Sequence, residues 1–131
     1  MITAKLSEIL KSVYVRNNMG DCLFCKIVAG QLPSEKVFED DDFLALKDIH
    51  PKAPTHVLVV PKKHIPSLAD VSAEDEVMLG RLMHRVALVA RDLGVADKGY
   101  KVVLNVREHG GQIVPHIHVH ILGGERIKGL V

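Results

Sequence analysis

The chain has 131 residues, of which 47% are hydrophobic and 25% charged, a composition typical of one soluble domain with its own core. A net charge of +1 and the absence of tryptophan argue against nucleic acid as a partner, whether bound as a duplex or stacked as a single strand. No apolar run approaches the roughly 18 residues that cross a bilayer, so we expect no membrane partner. The start of the chain lacks the features of a secretory signal, and we expect a cytoplasmic protein.

Residues 1–18 predict an amphipathic N-terminal extension in front of a single domain at residues 19–131. Apolar residues recur in the extension at helical spacing, with charged residues between them, and Asn17-Asn18 end the pattern. The segment is not rich in arginine, which disfavours a transit peptide. We interpret it as a docking arm or an upstream extension that adds little to the fold.

A short helix is predicted over residues 21–30, with Asp21 as its N-cap and Gly30 at its end. This segment holds both cysteines of the chain, Cys22 and Cys25, in a C-x-x-C spacing. A reducing compartment disfavours a structural disulfide, so we expect thiols or metal ligands at these two positions.

The rest of the chain contains five candidate strands and one long helix. The strands are predicted from alternation and β-branched residues at Lys36–Glu39, Phe43–Lys47, Thr55–Pro61, Lys101–Val106 and His116–Leu122. Thr55–Pro61 is almost continuously apolar, as expected of a strand buried on both faces. The helix is predicted over Ser72–Leu93, where Ser72 and Asp75 resemble a capping box and Gly94 follows as a stop. One long helix between groups of strands indicates an α+β fold with a largely antiparallel sheet.

Within the last predicted strand, three histidines alternate with three β-branched residues. Strict alternation puts the side chains of His116, His118 and His120 on one face of a strand, roughly 6.5–7 Å apart. Burying three imidazoles for packing alone requires up to six hydrogen-bond partners for their nitrogens. We therefore interpret the run as functional.

Two functional interpretations of the histidines are open at this point. Imidazole is a common zinc and copper ligand, although neighbours two positions apart bind one ion only if their side chains converge and further ligands come from elsewhere. Alternatively, one histidine is a nucleophile, since much of the imidazole is neutral near pH 7, and the others orient it and bind anions. The Gly110-Gly111 turn favours the second interpretation, because its N–H groups can approach a phosphate without a Cβ in the way.

Several stretches together resemble the histidine triad (HIT) superfamily, in particular its HINT-like branch of purine nucleoside phosphoramidase-like proteins. The alternating His116–His120 run carries the resemblance, together with Asp21–Ile27, Lys47–Ile49, Ala53–Ile65 and Asn105–Gly124. The resemblance therefore spans residues 21–124. The C-x-x-C pair alone is a weak signal, whereas the motifs are specific in combination.

The resemblance implies a HIT-like α+β fold, in which a five-stranded antiparallel sheet packs with one long and one short helix and continues across a homodimer. It also implies an enzyme that binds a purine nucleotide such as AMP or GMP and cleaves nucleoside 5′-phosphoramidates, or related nucleotidyl substrates, at the α-phosphorus. In the family this reaction passes through a nucleotidyl-histidine intermediate and requires no cofactor.

The same resemblance implies roles for individual residues. His118 corresponds to the nucleophile and His120 to a phosphate contact. His56 completes the relay that orients the nucleophile, and the carbonyl of His116 holds the nucleophile's other ring nitrogen. Asp48 corresponds to the ribose-binding carboxylate, which suits a vicinal diol. The base pocket corresponds to Leu23, Phe24, Ile27 and Ile49, and the phosphate-side and loop contacts to Asn105, Gly111, Gln112 and Val114.

The resemblance also implies a candidate structural zinc site. Cys22, Cys25, His64 and His116 match positions that bind zinc in some bacterial members of the superfamily, and two thiolates with two imidazoles form a complete tetrahedral set. The alternative is a buried thiol pair that packs the short helix without a metal.

The chain departs from its HINT-like relatives near the leaving group. Position 113 is isoleucine, where relatives usually carry a polar residue, and an isoleucine cannot donate a proton to a leaving amine. Pro115 replaces an aromatic residue of several relatives, and the tail after Gly124 is short. These departures leave open an alternative in which the protein is a nucleotide-binding regulatory protein with weak or vestigial catalysis.

Overall fold

The computed structural model describes residues 21–129 as two helices and five strands. The helices are α1 (Leu23–Val28) and α2 (Glu76–Asp92), and the strands are β1 (Lys36–Glu39), β2 (Phe43–Lys47), β3 (Thr55–Pro61), β4 (Lys101–Val103) and β5 (Val119–Gly123). The predicted extension at residues 1–18 lies outside the described residues. Between residues 21 and 129, neither helix has the length and apolar character needed to cross a membrane.

The five strands form one antiparallel sheet in the order β1-β2-β3-β5-β4. This confirms the predicted α+β class and the antiparallel sheet. Strands β1, β2 and β3 have the predicted bounds. The central strand β3 pairs with β2 on one side and with β5 on the other, so it places His120, the end of the histidine run, beside the β1–β2 hairpin.

Period-two alternation along the strands divides the core into two layers. Phe43, Val57 and Val119 point to the face covered by α2, where they pack with Leu82 and Val86. The opposite face carries Leu44, Leu46, Leu58 and Val60, which pack against α1 through Leu23, Phe24 and Ile27. Both faces of β3 are buried, as its continuous apolar run predicted.

Helix α2 begins after the predicted capping box and one turn of 3-10 helix. The backbone N–H of Ser72 donates to Asp75 Oδ2 at 2.9 Å, and Lys63 Nζ donates to Asp75 Oδ1 at 2.7 Å. The α-helix proper therefore begins at Glu76, four residues later than predicted. The chain leaves the helix at Gly94, whose φ of +78° suits glycine.

Three further predicted boundaries differ from the structure. Helix α1 is capped by Cys22, not by Asp21, because Cys22 has extended dihedrals and its Sγ accepts from the Cys25 N–H at 3.4 Å. Strand β4 ends at Val103 instead of residue 106, where the chain turns into a loop that Asn105 closes with a bond to the Gly110 carbonyl.

The last strand starts at Val119, three residues later than predicted. The N–H groups of His116 and Ile117 donate to the carbonyls of Val114 and Ile65, both at 2.8 Å, and therefore take no part in the sheet ladder. Residues 104–118 consequently form a folded loop at one end of the sheet. This loop carries two of the three histidines of the run.

Candidate active site

A cavity of about 570 Å³ lies between α1, the loop after β2 and the loop that precedes β5. Its walls are mostly apolar, with histidine rings and one carboxylate at one end. Most of the sequence-predicted site residues line it, namely Leu23, Phe24, Ile27, Asp48, Ile49, His56, Asn105, Gly111, Val114, His118 and His120. Of the predicted catalytic and nucleotide-binding residues, His116 and Gln112 do not line it.

His118 is held by the backbone of the loop and turns one ring nitrogen to the cavity. Its Nδ1–H donates to the carbonyl of His116 at 2.7 Å, and its ring lies against Phe24 with centroids 5.0 Å apart. Because Nδ1 carries the proton, the lone pair of a neutral ring is on Nε2. His118 therefore presents a free acceptor nitrogen.

His120 presents a donor nitrogen, in contrast to the acceptor of His118. The difference comes from a chain of hydrogen bonds that starts in the loop after β2. The backbone N–H of Lys52 donates to His56 Nδ1 at 3.0 Å, which leaves the proton of a neutral His56 on Nε2. His56 Nε2 lies 2.9 Å from His120 Nδ1 and donates to it. The proton of His120 is therefore on Nε2, and this nitrogen is a donor. The rings of His118 and His120 have centroids 5.1 Å apart, closer than the strand spacing predicted.

Burial keeps these rings neutral. Loss of solvent lowers the pKa of His118, and the bond to the His116 carbonyl and the charge of Asp48 oppose the shift. Burial, with His118 and His56 nearby, lowers the pKa of His120 to about 4, and burial also lowers the pKa of His56. Neutral imidazole near pH 7 is the form that a nucleophile and an uncharged relay require.

Asp48 lies at the rim of the histidine end, with one of its oxygens engaged in the loop. Its Oδ1 accepts from the His50 N–H at 2.8 Å, which closes the turn after β2. Its Oδ2 lies 3.4 Å from His56 Nε2 and is partly exposed to the cavity. Asp48 therefore has an acceptor left for a ligand hydroxyl.

His116 points away from the cavity into a second cluster. Its Nε2–H donates to the Pro61 carbonyl at 2.7 Å, so the lone pair of Nδ1 faces Cys22 Sγ at 3.3 Å, Cys25 Sγ at 3.6 Å and His64 Nδ1 at 3.1 Å. Cys25 Sγ and His64 Nδ1 are 3.3 Å apart. Tetrahedral zinc ligands stand roughly 3.3–3.8 Å from one another, so the two thiols and two imidazoles fit this ion.

The protonation states of the cluster agree with that fit. Burial lowers the pKa of His116 to about 4 and also lowers that of His64, which keeps both lone pairs available. Burial and the neighbouring Cys22 raise the pKa of Cys25 to about 12 when no cation is present, so a thiolate there requires a positive charge such as a metal ion.

The hypothesis of one ion held by all three histidines of the run is not supported by this geometry. Among residues 21–129, two groups of side chains can converge on an ion, and they divide the run. His116 belongs to the cysteine group, His120 stands with Asp48 and His56, and His118 belongs to neither.

Three features of the site were not predicted from the sequence. The N–H of Lys52 sets the His56 tautomer, and a backbone donor in a proline-bounded loop has no side-chain signal. His56 contacts His120, with His118 one ring further along. The amide of Gln112 binds the backbone of Arg107, Pro66 and Val114. Arg107 has a positive φ of 55°.

The chain matches known proteins over most of its length. The family model described as HIT domain matches residues 29–127. The purine nucleoside phosphoramidase of Escherichia coli (strain K12) is 46% identical over 104 residues, which cover 79% of this chain and 87% of that protein. The crystal structure of a HIT family hydrolase from Legionella pneumophila Philadelphia 1 has a TM-score of 0.80 at 47% identity, covering 82% of this chain and 96% of that one.

A more distant solved structure contains a metal ion. A Zn-bound histidine triad family protein from Mycobacterium smegmatis has a TM-score of 0.67 at 33% identity, covering 81% of this chain and 76% of that one. The fold, the site and these matches define a protein of the HIT domain family. Within that family the chain is a hydrolase of the HIT type.

Proposed function

We propose that the protein hydrolyses purine nucleoside 5′-phosphoramidates, or related nucleotidyl substrates, at the α-phosphorus through a nucleotidyl intermediate on His118. One observation carries the proposal. The free acceptor Nε2 of His118 and the donor Nε2 of His120 belong to adjacent rings of one cavity. A nucleophile beside a proton donor is the pair that substitution at phosphorus requires.

In the first step, the lone pair of His118 Nε2 forms a bond to the α-phosphorus and the bond from phosphorus to the leaving nitrogen breaks. The electron pair of that bond goes to the leaving amine, which takes a proton. His120 Nε2–H is positioned to give this proton to the amine, and His120 Nδ1 accepts a hydrogen bond from His56 Nε2–H. Isoleucine at position 113 lines the cavity and provides no proton donor for the leaving amine, so the relay of His56 and His120 takes this role.

In the second step, water attacks the same phosphorus, the His118–phosphorus bond breaks, and the proton that the water loses returns to His120 Nε2. The nucleoside monophosphate leaves, and Nε2 regains its lone pair. The Nδ1 bond to the His116 carbonyl keeps the ring in one orientation throughout and stabilises the positive charge that the substituted ring carries.

The rest of the cavity supports nucleotide recognition. The apolar walls formed by Leu23, Phe24 and Ile27 suit the flat face of a purine. Asp48 Oδ2 is available for the ribose hydroxyls. Gly111 lines the cavity without a Cβ, while its N–H donates to the Glu108 carbonyl at 3.0 Å. AMP and GMP are the products we expect. The Escherichia coli relative named a purine nucleoside phosphoramidase supports this substrate class.

We propose that the cysteine and histidine cluster holds a structural zinc ion. Cys22, Cys25, His64 and His116 would be its ligands, and the ion would tie α1 to the loop after β3 and to the loop before β5. A four-coordinate ion of this kind supplies stability and no open coordination position for the reaction. The Zn-bound relative from Mycobacterium smegmatis supports the assignment. The homodimer, the cytoplasmic location and the domain bounds at residues 1–18 and 19–131 stay predictions.

Rapid chemical trapping tests the proposed mechanism. The purified protein is mixed with an adenosine phosphoramidate in the presence of a chelator, denatured within the first turnover and analysed by mass spectrometry. We expect an adenylyl adduct on the peptide that contains His118, followed by AMP in solution. His118→Ala should remove the adduct and lower turnover by at least ~10³-fold, while AMP binding stays within a few-fold of the wild type.

Two results would contradict the proposal. An unchanged rate in a clean His118→Ala variant would remove His118 as the nucleophile. AMP binding without adduct or hydrolysis would favour the regulatory alternative, which rests on Ile113, a side chain that lines the cavity and is 59% exposed. Ile113→Ser would then be the first variant to examine for recovered turnover.

A further inference from the structure

Gln112 is a buried side chain whose two N–H donors are both used inside the protein. It is 5% exposed. Its Oε1 accepts from the Arg107 N–H at 2.7 Å, and its Nε2 donates to the carbonyls of Pro66 at 2.6 Å and Val114 at 2.9 Å. A primary amide has two N–H donors, and both are spent here. No donor of Gln112 is left for a substrate.

The three bonds of Gln112 connect the segments that surround the nucleophile. The Val114 carbonyl, which accepts from Gln112, also accepts from the His116 N–H at 2.8 Å. The carbonyl of the same His116 accepts from His118 Nδ1–H at 2.7 Å. Two shared backbone groups therefore join the amide of Gln112 to the ring of His118.

The loop around Gln112 stores backbone strain that the amide holds in place. Arg107 has φ of 55°, a conformation that costs a residue with a Cβ on the order of 1 kcal/mol or more, and its N–H is bound by Gln112. The Arg107 guanidinium pairs with Asp70 at 2.8 Å, on the segment after Pro66. Without the amide, we expect Arg107 to relax from its positive φ and the turn at residues 114–116 to shift with the loop.

We propose that Gln112 is a positioning residue that sets the orientation of the His118 ring without touching the substrate. This inference rests on the proposed function only for the effect on turnover. A direct phosphate contact, which the family resemblance suggested for this position, requires a free donor or a place on the cavity wall, and Gln112 has neither.

Two variants of similar size separate the roles of the amide. In Gln112→Glu, an ionised carboxylate accepts from Arg107 but repels the Pro66 and Val114 carbonyls, whereas a protonated carboxyl donates to one of them. Burial against carbonyls raises the pKa of such a group. The charged side chains of the neighbouring loops, Arg107 and Asp70, neutralise each other. In Gln112→Met, no donor is present at any pH.

The variants are compared with the wild type between pH 5.5 and 8.5. At pH 8.5 the introduced carboxylate is ionised and the His118 ring is misplaced, so we expect kcat of Gln112→Glu to be on the order of 100-fold below that of the wild type at the same pH. At pH 5.5, where the carboxyl is protonated, the ratio of the two kcat values should recover at least tenfold. Gln112→Met should lose a similar factor at every pH. The Kd for AMP should stay within about threefold in both. Gln31→Glu, at the other, exposed glutamine of the chain, is the matched control and should match the wild type.

Imidazole ¹⁵N NMR of the AMP-free protein supplies a readout that is independent of turnover. We expect the His118 ring in the wild type to be protonated at Nδ1 and in Gln112→Met to populate both tautomers. A loss of AMP affinity above tenfold with kcat retained would overturn the proposal and make Gln112 a substrate contact. Unchanged kcat and unchanged His118 signals in both variants would also overturn it. Failure of the wild type to hydrolyse the phosphoramidate would contradict the proposed function and leave the NMR test standing.

Discussion

At the scale of single residues, backbone groups decide which nitrogen of each histidine faces the substrate. His118 donates to a carbonyl and so exposes an acceptor, whereas His56 accepts from an N–H and so passes a donor to His120. Two chemically identical rings in one run thereby gain opposite functions. The proposed mechanism rests on these backbone contacts and on burial, which lowers the pKa of His118 and His120.

Asp48 provides a prediction at the same scale. Asp48→Ala should weaken AMP binding by roughly 10- to 100-fold, the effect of losing a hydrogen bond to a charged group, and should leave the binding of a 2′,3′-dideoxy analogue within about threefold. Isothermal titration with both ligands measures the difference. Asp48→Asn is the control, since an amide oxygen still accepts from the His50 N–H and keeps the turn. Equal losses for both ligands would exclude the ribose role.

At the scale of elements, α1 is short and depends on its contacts. Six residues form no stable helix alone. Leu23, Phe24 and Ile27 pack on the sheet, and the cysteines at the start of the helix face His64 and His116 from two other segments. The helix forms one wall of the cavity, so its attachment determines the shape of the proposed base pocket.

Metal removal tests that attachment. We expect the purified protein to contain about one zinc ion per chain, and we expect a chelator to lower the thermal midpoint, since an ion present at a thousandfold excess over its Kd contributes about 4 kcal/mol. His64→Ala should abolish zinc binding and lower the midpoint similarly. His84→Ala, an exposed histidine on α2, should change neither. A chain free of zinc and indifferent to chelator would leave the cluster as a thiol and imidazole packing group.

At the scale of the whole molecule, folding places several neutral histidines where they are largely shielded from water. Burial lowers the pKa of His56, His118 and His120 below the ordinary 6.5. As the pH falls, the histidines of the unfolded chain bind protons at a higher pH than the same histidines in the folded protein. The stability that comes from holding the rings neutral is therefore complete above pH 6.5 and decreases below it.

Urea unfolding at several pH values measures this effect. Between pH 6.5 and 5.5 the free energy of unfolding should fall by up to about 1 kcal/mol for each of the three histidines, before carboxylates contribute. His120→Gln should reduce the slope of the free energy of unfolding against pH by the equivalent of about one proton. A constant free energy over this interval would mean that the rings titrate as they do in the unfolded chain.

The sequence by itself determined which side chains of a strand share one face of the sheet. Period-two alternation predicted that the three histidines of the run occupy one face and the three β-branched residues the other, because neighbouring side chains on a strand point to opposite faces. Ile117, Val119 and Ile121 lie together in the layer that packs against α2. Strands β1 to β3, the capping box of α2 and family membership could also be predicted from local patterns and motifs.

Only the tertiary structure decided how the polar groups pair. His116 meets cysteines more than 90 positions away, His56 meets His120 across 64 positions, and Gln112 reaches Pro66 across 46. Such pairings depend on where the sheet ends and the loops fold back, and the predicted strand starting at His116 missed that end by three residues. Alternation specifies the face that a side chain occupies, whereas the tautomer and role of each ring depend on groups brought there by folding.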